Sequence, residues 1–411
     1  MNLIHITASY KPAYIYGGPI QSVAKLCEAI TALSDKREAE SKVNLQVLTT
    51  TANGPAELDV TIGKPVLIDG VKVTYFKRWT KDHSHFSPGL LWDLRKEILR
   101  CAQDGNKIEI PKRQTPNAKL IIHIHAWWNL VSVLSCLVAK WYGMQVVLSP
   151  RGMLTAYSQH NRSSFSKKLL HKLMGKKLLQ YCHIHATSIQ EKRDILEIIT
   201  PRSITVIPNL VNLTSEVPII KYQVSSRNNL KSPSFKLIFL SRIEEKKGLE
   251  LLFDALSLLD IDWQLTIAGS GKKEYVAGLQ VKAQRLKLDH RINWTGQVSD
   301  RNKYGLMAKH DVLVLTSFNE NFANVVVESL SVGTPVLISD RVGLSDYVCE
   351  QQLGWVCALE ANDIKEKLIN SYRAKEAREK MKQSAPEIIR RDFNDQALAK
   401  RYLALYRRLA Q

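Results

Sequence analysis

Short β-rich runs alternate with helical patterns along almost the whole of this 411-residue chain. The candidate strands are residues 3–7, 45–49, 71–76, 120–125, 145–149, 182–187, 204–208, 236–241, 263–268, 291–294, 312–316 and 335–339. In the first half, the intervals hold helical patterns at residues 20–33, 90–101, 130–142, 163–179 and 190–199. Because parallel strands need a crossover connection, usually a helix, this alternation predicts an α/β fold of doubly wound parallel sheets.

The chain is too long for one ordinary hydrophobic core and suits two domains of about 200 residues each. Residues 211–234 break the alternation, because they are polar and contain Pro218 and Pro233 among serines and asparagines. We therefore expect a Rossmann-like domain over 1–210, a linker over 211–234 and a second Rossmann-like domain over 235–386. A charged helical stretch follows from about 387 to 411, and we expect it to pack back on the first domain.

Positive charge is concentrated in one part of the chain. The net charge is +19, and residues 110–190 contain no Asp or Glu. A surface formed by this stretch would attract anions such as phosphorylated acceptors or acidic lipid headgroups, although a solvated basic surface is equally compatible with it. Residues 163–179 form an apolar-and-basic helical pattern that either packs on a sheet or contacts anionic inner-membrane lipid. No nucleic-acid-binding motif accompanies the charge, so we expect no nucleic-acid partner.

The cysteines and the hydropathy bear on the compartment. The six cysteines are scattered without a Cys-x-x-Cys pair, which favours reduced thiols in a chain of this length. No run reaches the roughly 18 apolar residues that a membrane-spanning helix needs, and the N-terminus has the pattern of a first strand. We expect a cytoplasmic protein, with peripheral contact to the cytoplasmic face of the inner membrane as an open alternative.

Two acidic residues follow the candidate strand 312–316. Glu320 precedes a helical pattern and Glu328 lies inside it, with seven residues between them. The small and capping residues between them turn the chain into the helix, so its N–H groups and positive dipole end would form a phosphate seat. Glu320 could then bind sugar hydroxyls and Glu328 a ribose. A capped helix with two surface glutamates is an equally weighted alternative.

A basic turn follows the candidate strand 236–241. Arg242 and Lys247 flank a strand-to-helix turn, where a diphosphate would lie. Each charge-assisted contact with phosphate contributes about 1.5–3 kcal/mol. A basic loop on a basic protein is also common, so this turn alone does not identify a site.

Several further motifs occur in a fixed order along the chain. They are Gly17-Gly18, IHIHAWW at 122–128, SPRGML at 149–154, IPN at 207–209, SR at 241–242 with KG at 247–248, IAGSG at 267–271, TGQV at 295–298, and the Glu320/Glu328 pair. In this order and spacing the chain resembles the retaining GT-B-fold glycosyltransferases of family 4, over nearly its whole length. The resemblance implies two Rossmann-like domains that face each other across a cleft.

The resemblance also implies roles for particular residues. Arg242 and Lys247 would bind the donor diphosphate, Glu320 would hold the transferring sugar, and His125 would face the reacting sugar; these four are the candidate catalytic residues. Arg151 and Asn209 are candidates on the acceptor side. The donor-binding candidates are Gly17, Gly18, Arg242, Lys247, Gly269, Gly271, Gln297, Val298, Glu320, Asn321, Phe322, Ala323, Asn324 and Glu328.

Two patterns that suggest metal ligands have ordinary explanations. Asp260-Ile261-Asp262 lies at the amino end of a candidate strand, opposite the edge where ligands bind in such sheets. The pairs His83/His85, His123/His125 and His183/His185 place two imidazoles on one face of a strand, but no carboxylate or thiol is positioned by sequence to complete a ligand set. We predict no metal and no cofactor.

The family resemblance departs from its usual pattern at two points. The usual Asn-Gly-Val-Asp reads Asn209-Leu210-Val211-Asn212, and the usual Phe-Gly of the acidic loop reads Phe322-Ala323. A methyl group at Ala323 bears on how closely a ligand can approach the backbone there.

The sequence therefore predicts a metal-independent retaining hexosyltransferase. It would move a sugar from a UDP- or GDP-linked donor to a glycan or lipid-linked acceptor, in the synthesis of capsule, exopolysaccharide or lipopolysaccharide. Two alternatives stay open: a sugar-nucleotide epimerase of the same fold, and a non-catalytic nucleotide-sugar-binding protein. The sugar, the nucleotide, the acceptor and the oligomeric state are not encoded in recognisable motifs.

Overall fold

The computed structural model describes residues 1–35, 42–103, 120–155, 175–213 and 234–411. It divides into two compact units, one formed by Met1–Asn212 with Phe393–Gln411 and the other by Leu213–Asp392. Most of the expected linker, residues 214–233, lies outside the described residues, as do residues 163–174 of the basic helical pattern.

The first unit is built on an eight-stranded sheet with the order β10-β9-β8-β7-β1-β2-β6-β5. Its strands are β1 (Asn2–Ile6), β2 (Asn44–Thr50), β5 (Pro65–Ile68), β6 (Val71–Phe76), β7 (Leu120–His125), β8 (Gln145–Ser149), β9 (His183–Ala186) and β10 (Ser203–Val206), and β3 (Ala52–Asn53) pairs with β4 (Ala56–Glu57) in a separate ribbon. All neighbours in the sheet are parallel except β5 and β6. The strand order reverses between β1 and β7, which makes that edge the expected ligand-binding point.

The second unit has a six-stranded parallel sheet with the order β13-β12-β11-β14-β15-β16. Its strands are β11 (Phe235–Leu240), β12 (Trp263–Ala268), β13 (Ile292–Gly296), β14 (Val312–Leu315), β15 (Val336–Ser339) and β16 (Gly354–Cys357). Counted along this unit, the order is 3-2-1-4-5-6, the arrangement of a dinucleotide-binding sheet, and it reverses between β11 and β14. The predicted α/β fold class is confirmed.

Helices cover the sheets and connect the strands. The first unit contains α1 (Gly18–Ser34), α2 (Pro88–Gln103), α3 (Leu130–Trp141), α4 (Lys176–Tyr181) and α5 (Ile189–Ile198). The second contains α6 (Leu249–Ser257), α7 (Lys273–Arg285), α8 (Asp300–Met307), α9 (Asn324–Ser331), α10 (Ser345–Glu350), α11 (Ala361–Arg373) and α12 (Lys375–Asp392), and the chain ends with α13 (Asp395–Ala410) in the first unit. No described helix is long and apolar enough to cross a membrane.

The C-terminal region corrects one expectation about helix boundaries. The sequence suggested a single helical stretch from about 387, but residues 387–392 complete α12 in the second unit, and α13 starts only at Asp395. The break occurs because Asn394 takes an extended conformation and its side chain accepts a hydrogen bond from Ala397 N at 3.0 Å, which caps α13. Helix α13 then packs against α1 and β7 of the first unit.

The two faces of the first sheet differ in polarity. Ile4, Ile6, Ile122 and Ile124 belong to an apolar cluster that also holds residues of α2 and α3. Because successive side chains on a strand point to opposite faces, the intervening His5, His123 and His125 lie on the other face, toward α13. The sheet therefore carries a buried layer of histidines on the side that the C-terminal helix covers.

The loops that follow β11, β12 and β13 are joined by backbone contacts. Ile243 N donates to Ser270 O at 2.8 Å, and Gly269 N donates to Gly296 O at 2.8 Å. Gly269 has a φ of +149°, and a Cβ there would lie 1.8 Å from the carbonyl oxygen of Ser241. A Cβ on Gly271 would similarly lie 2.2 Å from Ile243 O. Both glycines are therefore required by loop packing, whatever the loops bind.

We predict that Gly269→Ala lowers the free energy of unfolding by about 3 kcal/mol or more, because the added methyl group collides with backbone and not with a flexible side chain. Urea denaturation measures the change. The matched control is Gly278→Ala inside α7, where a Cβ meets open space. That variant should gain about 0.5–1 kcal/mol. Equal stability of the two variants would contradict the loop packing described above.

Candidate functional site

The loops at the reversal point of the second sheet contain the predicted basic turn and the predicted acidic loop. The first follows β11 and forms a 3-10 turn over Glu245–Lys247 before α6. The second follows β14 and leads into α9. Phe318 N donates to the carbonyl oxygen of Lys246 at 2.9 Å, so the two loops are in direct contact. The topology thus brings the two motifs together although about 70 residues separate them in the sequence.

Lys247 and Glu320 form an ion pair across these two loops, from Nζ to Oε2. The lysine is only 5% exposed. The backbone of Glu320 is fixed from the other side, because its N–H donates to Arg341 O at 3.1 Å and its carbonyl accepts from Gly343 N at 2.7 Å. The carboxylate is therefore held in place by three loops of the sheet edge.

The electrostatics around Glu320 favour its ionised form. Burial would raise the pKa of the Glu320 carboxyl, but the positive charges of Lys247 and Lys246, the hydrogen bond from Lys247 and the charge of Arg242 together lower it. Burial lowers the pKa of Lys246, partly against the attraction of Glu320. Arg242 is about half exposed and pairs with Glu244 at 2.8 Å. Three cationic side chains thus surround one carboxylate.

Helix α9 begins in the acidic loop with an unusual cap. Ala323 occupies the cap position with φ +65° and ψ +75°, a left-handed conformation that favours glycine, and it has no side-chain oxygen for the first-turn N–H groups. Phe322 before it is buried and anchors the loop, while Asn321 and Asn324 are half-buried. The first turn of the helix contains no acidic residue to offset the helix dipole, so the N-terminal end adds positive potential at the same sheet edge.

Glu328 is buried and paired with a lysine, unlike a carboxylate on the surface. It is 5% exposed and accepts a hydrogen bond from Lys303 Nζ of α8 at 2.8 Å, and that lysine also pairs with Asp300 at 3.0 Å. Burial raises the pKa of Glu328 despite the attraction of Lys303. The predicted ribose-binding role of Glu328 stays a prediction. A ribose would have to share this carboxylate with Lys303.

The remaining donor-side candidates follow β12 and β13. Gly269 and Gly271 lie in the loop after β12, and Gln297 and Val298 follow β13, the former exposed and the latter half-buried. All four are on the carboxyl-end side of the sheet, one or two strands from the Lys247–Glu320 pair. Their contact with a base stays a prediction, because the contacts of the two glycines with neighbouring loops already explain those residues.

In the first unit, Gly17 and Gly18 follow β1 and His125 ends β7, the two strands between which the sheet reverses its order. Gly17 has φ +71°, precedes α1 as its cap, and would have open space around a Cβ. Gly18 is the first residue of α1. The left-handed φ at Gly17 supplies the turn, and the helix N-terminus that it starts lies at the carboxyl edge of β1.

His125 ends β7 as expected, but its imidazole is buried and already engaged. Its Nε2 is 2.8 Å from His5 Nδ1, and its Nδ1 is 3.4 Å from Arg151 Nε. Burial, together with the charges of His123 and Arg151, lowers the pKa of His125 well below its ordinary value. A direct contact with a reacting sugar would require one of these hydrogen bonds to open.

Arg151 connects the acceptor-side candidates to one another. Its Nη1 donates to Asn209 Oδ1 at 3.1 Å and to Ser22 Oγ at 2.9 Å. Burial lowers the pKa of its guanidinium. Ala126 after β7 and Arg151 after β8 both have positive φ angles, 66° and 53°. Such conformations are concentrated at functional edges of folds.

Glu191 places a carboxylate near Arg151. The sequence did not lead us to expect one there, because residues 110–190 contain no Asp or Glu. It follows that stretch in the sequence and lies at the start of α5. Its Oε1 accepts from Gly152 N at 2.8 Å, and its Oε2 accepts from Thr187 N at 2.6 Å. Burial raises the pKa of Glu191 against these hydrogen bonds. Both oxygens are therefore occupied in holding the loops after β8 and β9.

The histidines of β1 and β7 could be taken for metal ligands. His5, His123 and His125 offer ring nitrogens within 4.8 Å of one another. However, the 2.8 Å separation of His5 Nδ1 and His125 Nε2 is a hydrogen-bond distance, and the Arg151 cation faces His125. His183 is hydrogen-bonded to Ser203 and Gln145, and Asp260 and Asp262 precede β12 at its amino end. The absence of a metal requirement stays a prediction.

Sequence reasoning missed several residues that the structure adds to these edges. Lys303 gave no signal, because a single lysine in a helical pattern is ordinary. His5 could have been suspected, since it is a polar residue within an apolar pattern, whereas Glu191 lies among polar residues and gave no such signal. Tyr402 and Tyr406 of the C-terminal helical stretch were not singled out, although their hydroxyls reach the buried histidines of the first sheet.

The buried histidines predict an acid-sensitive first unit. Burial and the charge of Arg151 lower the pKa of His5 to about 3, and burial lowers that of His185 to about 3. The unfolded chain therefore binds protons between pH 6.5 and 3 that the folded chain does not, so stability is complete above about pH 6.5 and is lost as the pH falls. Each such histidine contributes about 1.4 kcal/mol per pH unit.

Urea denaturation at pH 7.5, 6.5 and 5.5 measures this loss. His290→Gln, which changes an exposed histidine of the second unit, should leave the slope unchanged. A stability that stays constant down to pH 5 would mean that these imidazoles are charged in the folded protein.

Comparisons with known proteins agree with this geometry. The family model for glycosyltransferase family 4 matches residues 36–215, and the model for glycosyl transferases group 1 matches residues 223–388. The D-inositol 3-phosphate glycosyltransferase of Pseudarthrobacter chlorophenolicus is 25% identical over 329 residues, which cover 77% of this chain and 74% of that protein.

Solved structures show the same fold over the whole chain. Sucrose-phosphate synthase from Thermosynechococcus elongatus superimposes with a TM-score of 0.69 at 19% identity, covering 100% of this chain and 99% of that one. Anabaena HepE in complex with UDP and glucose gives a TM-score of 0.66 at 16% identity, covering 98% and 99%. Together with the two family matches, these similarities show that the chain belongs to the GT-B-fold glycosyltransferases of the group 1 and family 4 type.

Proposed function

We propose that the protein is a retaining glycosyltransferase that takes a sugar from a nucleoside diphosphate donor. The observation that carries the proposal is the Lys247–Glu320 pair at the reversal point of the second sheet, beside the N-terminus of α9. A diphosphate at this edge would meet Lys247, Arg242 and the helix dipole. As the glycosidic bond breaks, negative charge grows on that diphosphate, so these groups stabilise the leaving group.

Glu320 would hold the transferring sugar. Because three nearby cations favour its carboxylate form, it accepts hydrogen bonds from sugar hydroxyls and does not donate a proton to them. When a diphosphate occupies the edge, Lys247 can turn from Glu320 to the phosphate oxygens. The carboxylate then exchanges a lysine partner for hydroxyl partners, and neither charge is left buried and unpaired.

The acceptor side supports retention without a covalent sugar–enzyme intermediate. Retaining glycosidases generally use two carboxylates about 5 Å apart. Near Arg151 the described residues of the first unit offer Glu191, and both of its oxygens are bonded to backbone N–H groups. We therefore propose that the acceptor hydroxyl attacks on the face that the diphosphate leaves, and that a phosphate oxygen of the donor takes its proton.

We also propose that the transfer needs no metal ion, and the same charge arrangement supports this. Metal-dependent transferases neutralise the departing diphosphate with a divalent cation, whereas here Arg242, Lys246 and Lys247 supply positive charge at one sheet edge. We propose UDP or GDP as the nucleotide, and the complex of Anabaena HepE with UDP and glucose supports the first. The acceptor would be a glycan or lipid-linked saccharide of capsule, exopolysaccharide or lipopolysaccharide synthesis.

We predict that Lys247→Ala lowers turnover by about 10²–10³-fold, because it removes a positive charge that acts mainly as the bond breaks. The assay first ranks nucleotide sugars by thermal shift and then measures release of nucleoside diphosphate with a glycan acceptor, in the presence of a chelator. Wild-type activity should persist with the chelator, and the product should keep the anomeric configuration of the donor.

Lys380→Ala is the matched control, since it removes an exposed lysine from α12 of the same unit. It should leave turnover unchanged. Near-normal turnover of Lys247→Ala would contradict the proposed role of Lys247 in stabilising the leaving group. An isomerised donor without transfer would identify an epimerase, and binding without release would identify a nucleotide-sugar-binding protein.

A second proposal concerns contact with an anionic membrane surface. The first unit exposes a tryptophan-and-cation surface formed by Trp92, Arg95, Lys140, Trp141 and Lys177. Trp141 is 84% exposed and Trp92 is 56% exposed. The guanidinium of Arg95 lies 5.2 Å from the Trp92 ring centre, and Lys140 Nζ is 3.4 Å from the carbonyl oxygen of Lys177.

This combination matches the membrane interface, where tryptophan rings lie at headgroup depth and cations meet acidic lipid. Arg95 Nε also donates to the Tyr142 hydroxyl at 2.9 Å, which joins the two tryptophan-bearing helices α2 and α3 on this surface. We therefore place the membrane contact here. The basic helical pattern at 163–179 suggested such contact, and its residues 163–174 lie outside the described residues.

We predict that the protein floats with liposomes that contain an anionic lipid such as phosphatidylglycerol and remains unbound with phosphatidylcholine alone. Trp141→Ala should reduce the recovered fraction several-fold, because it removes the most exposed apolar ring from the surface. Leu67→Ala, on edge strand β5, removes an exposed apolar side chain elsewhere and should have no effect. Equal recovery from both lipid compositions would exclude this contact.

A further inference from the structure

A continuous chain of buried hydrogen bonds runs beneath the C-terminal helix. The Tyr406 hydroxyl is 2.7 Å from His123 Nδ1, and His123 Nε2 is 2.7 Å from Ser149 Oγ. Ser149 Oγ is 2.7 Å from His185 Nδ1, and His185 Nε2 is 2.8 Å from the carbonyl oxygen of Ile207. We call these five residues the histidine chain. It connects α13 with β7, β8, β9 and the loop after β10.

The carbonyl at one end fixes the direction of every bond in the histidine chain. A carbonyl oxygen only accepts, so His185 Nε2 carries the proton, and its Nδ1 must accept from the Ser149 hydroxyl. The Ser149 oxygen has then donated its one proton and accepts from His123 Nε2–H. His123 Nδ1 is left as an acceptor, and the Tyr406 hydroxyl is its donor.

This direction of the hydrogen bonds requires neutral imidazoles, and burial keeps them neutral. Burial and the charges of His5 and His185 lower the pKa of His123 well below its ordinary value, and burial lowers that of His185 to about 3. Each ring therefore has one proton at neutral pH and one tautomer. Without the Ile207 carbonyl, the hydrogen bonds of the histidine chain could all run in either direction. This single backbone oxygen therefore selects one direction.

Tyr402 occupies a different position in the same network. Its hydroxyl is 2.9 Å from His185 Nε2, so it shares that N–H with the Ile207 carbonyl. The Tyr402 oxygen is thus a second acceptor for the His185 Nε2–H, which already donates to the Ile207 carbonyl. Tyr406, in contrast, is the donor to a buried acceptor, and Tyr402 and Tyr406 lie one helical turn apart on α13.

The histidine chain touches the acceptor-side edge through ring packing. The rings of His123 and His125 lie with centroids 4.1 Å apart on adjacent same-face positions of β7. The guanidinium of Arg151 binds His125 Nδ1 and also Asn209. A shift of His123 therefore displaces the ring that Arg151 contacts.

We propose that Tyr406 is a positioning residue for the acceptor-side edge, because its hydroxyl fixes the tautomer and orientation of His123, on which the His125–Arg151–Asn209 group packs. The C-terminal helix would thus take part in arranging the reaction site of the first unit. The effect on activity rests on the proposed transferase function, whereas the tautomer assignment does not.

Tyr406→Phe and Tyr402→Phe form a matched pair, since each removes one hydroxyl from the same face of α13. Tyr406→Phe leaves His123 Nδ1 as a buried acceptor that has lost its donor. We expect turnover to fall roughly 10-fold with the KM for the donor unchanged, because the displaced groups lie in the acceptor-side unit. Tyr402→Phe should stay within about two-fold of wild type, since His185 keeps the Ile207 carbonyl.

Nitrogen-15 NMR of histidine-labelled protein reads the tautomers directly. In the wild type, His123 and His185 should both carry the proton on Nε2, and Tyr406→Phe should shift the His123 signals while Tyr402→Phe leaves them unchanged. A proton on Nδ1 of His123, or equal loss of turnover in the two variants, would overturn the proposal. If no donor supports transfer, the proposed function fails, and the NMR result still decides the direction of the histidine chain.

Discussion

The ion pair between Lys247 and Glu320 is the interaction on which the candidate site depends. It joins the loops after β11 and β14, the two strands between which the second sheet reverses its order. A buried lysine and a half-buried carboxylate are each costly alone, so each stabilises the other when no ligand is present. The same pair keeps Glu320 ionised. In the proposed reaction, Lys247 and Glu320 would exchange partners when an anionic donor binds.

The sheet topology explains why this pair forms where it does. In a doubly wound sheet the loops on either side of the reversal point turn away in opposite directions and leave an open edge. Contact between the 3-10 turn and the acidic loop, through Phe318 N and Lys246 O, partly covers that edge and brings the charged side chains together. The glycines after β12 allow the neighbouring loop to lie directly against the backbone of Ser241 and Ile243. Close loop packing and a concentrated positive charge are therefore two results of one arrangement.

The sequence was informative where a pattern is local. Strands such as β7, β8 and β12 match their predicted bounds because apolar runs and flanking turns define them. The strands β3, β4, β5 and β16 were missed because each has only two to four residues, too few to show a period along the sequence. In the site, Arg242, Lys247 and Glu320 were found from motif spacing, whereas Lys303, Glu191 and Tyr406 were not. The function of those three depends on partners distant in sequence, and spacing alone carries no information about such contacts.

The carboxyl edges of the two sheets differ in their charged groups, and this difference suits a transfer reaction. The second unit gathers cations around a carboxylate, so it can accept the growing charge of a departing diphosphate. At the corresponding edge of the first sheet the histidines are neutral, and Glu191 is fully occupied by backbone N–H groups. Under the proposed function, an acceptor hydroxyl there would meet oriented dipoles and the Arg151 cation, and among the described residues it would meet no strong base that could also activate water. In the proposed mechanism, the lack of such a base would disfavour hydrolysis of the donor and would leave a donor phosphate oxygen to take the acceptor's proton.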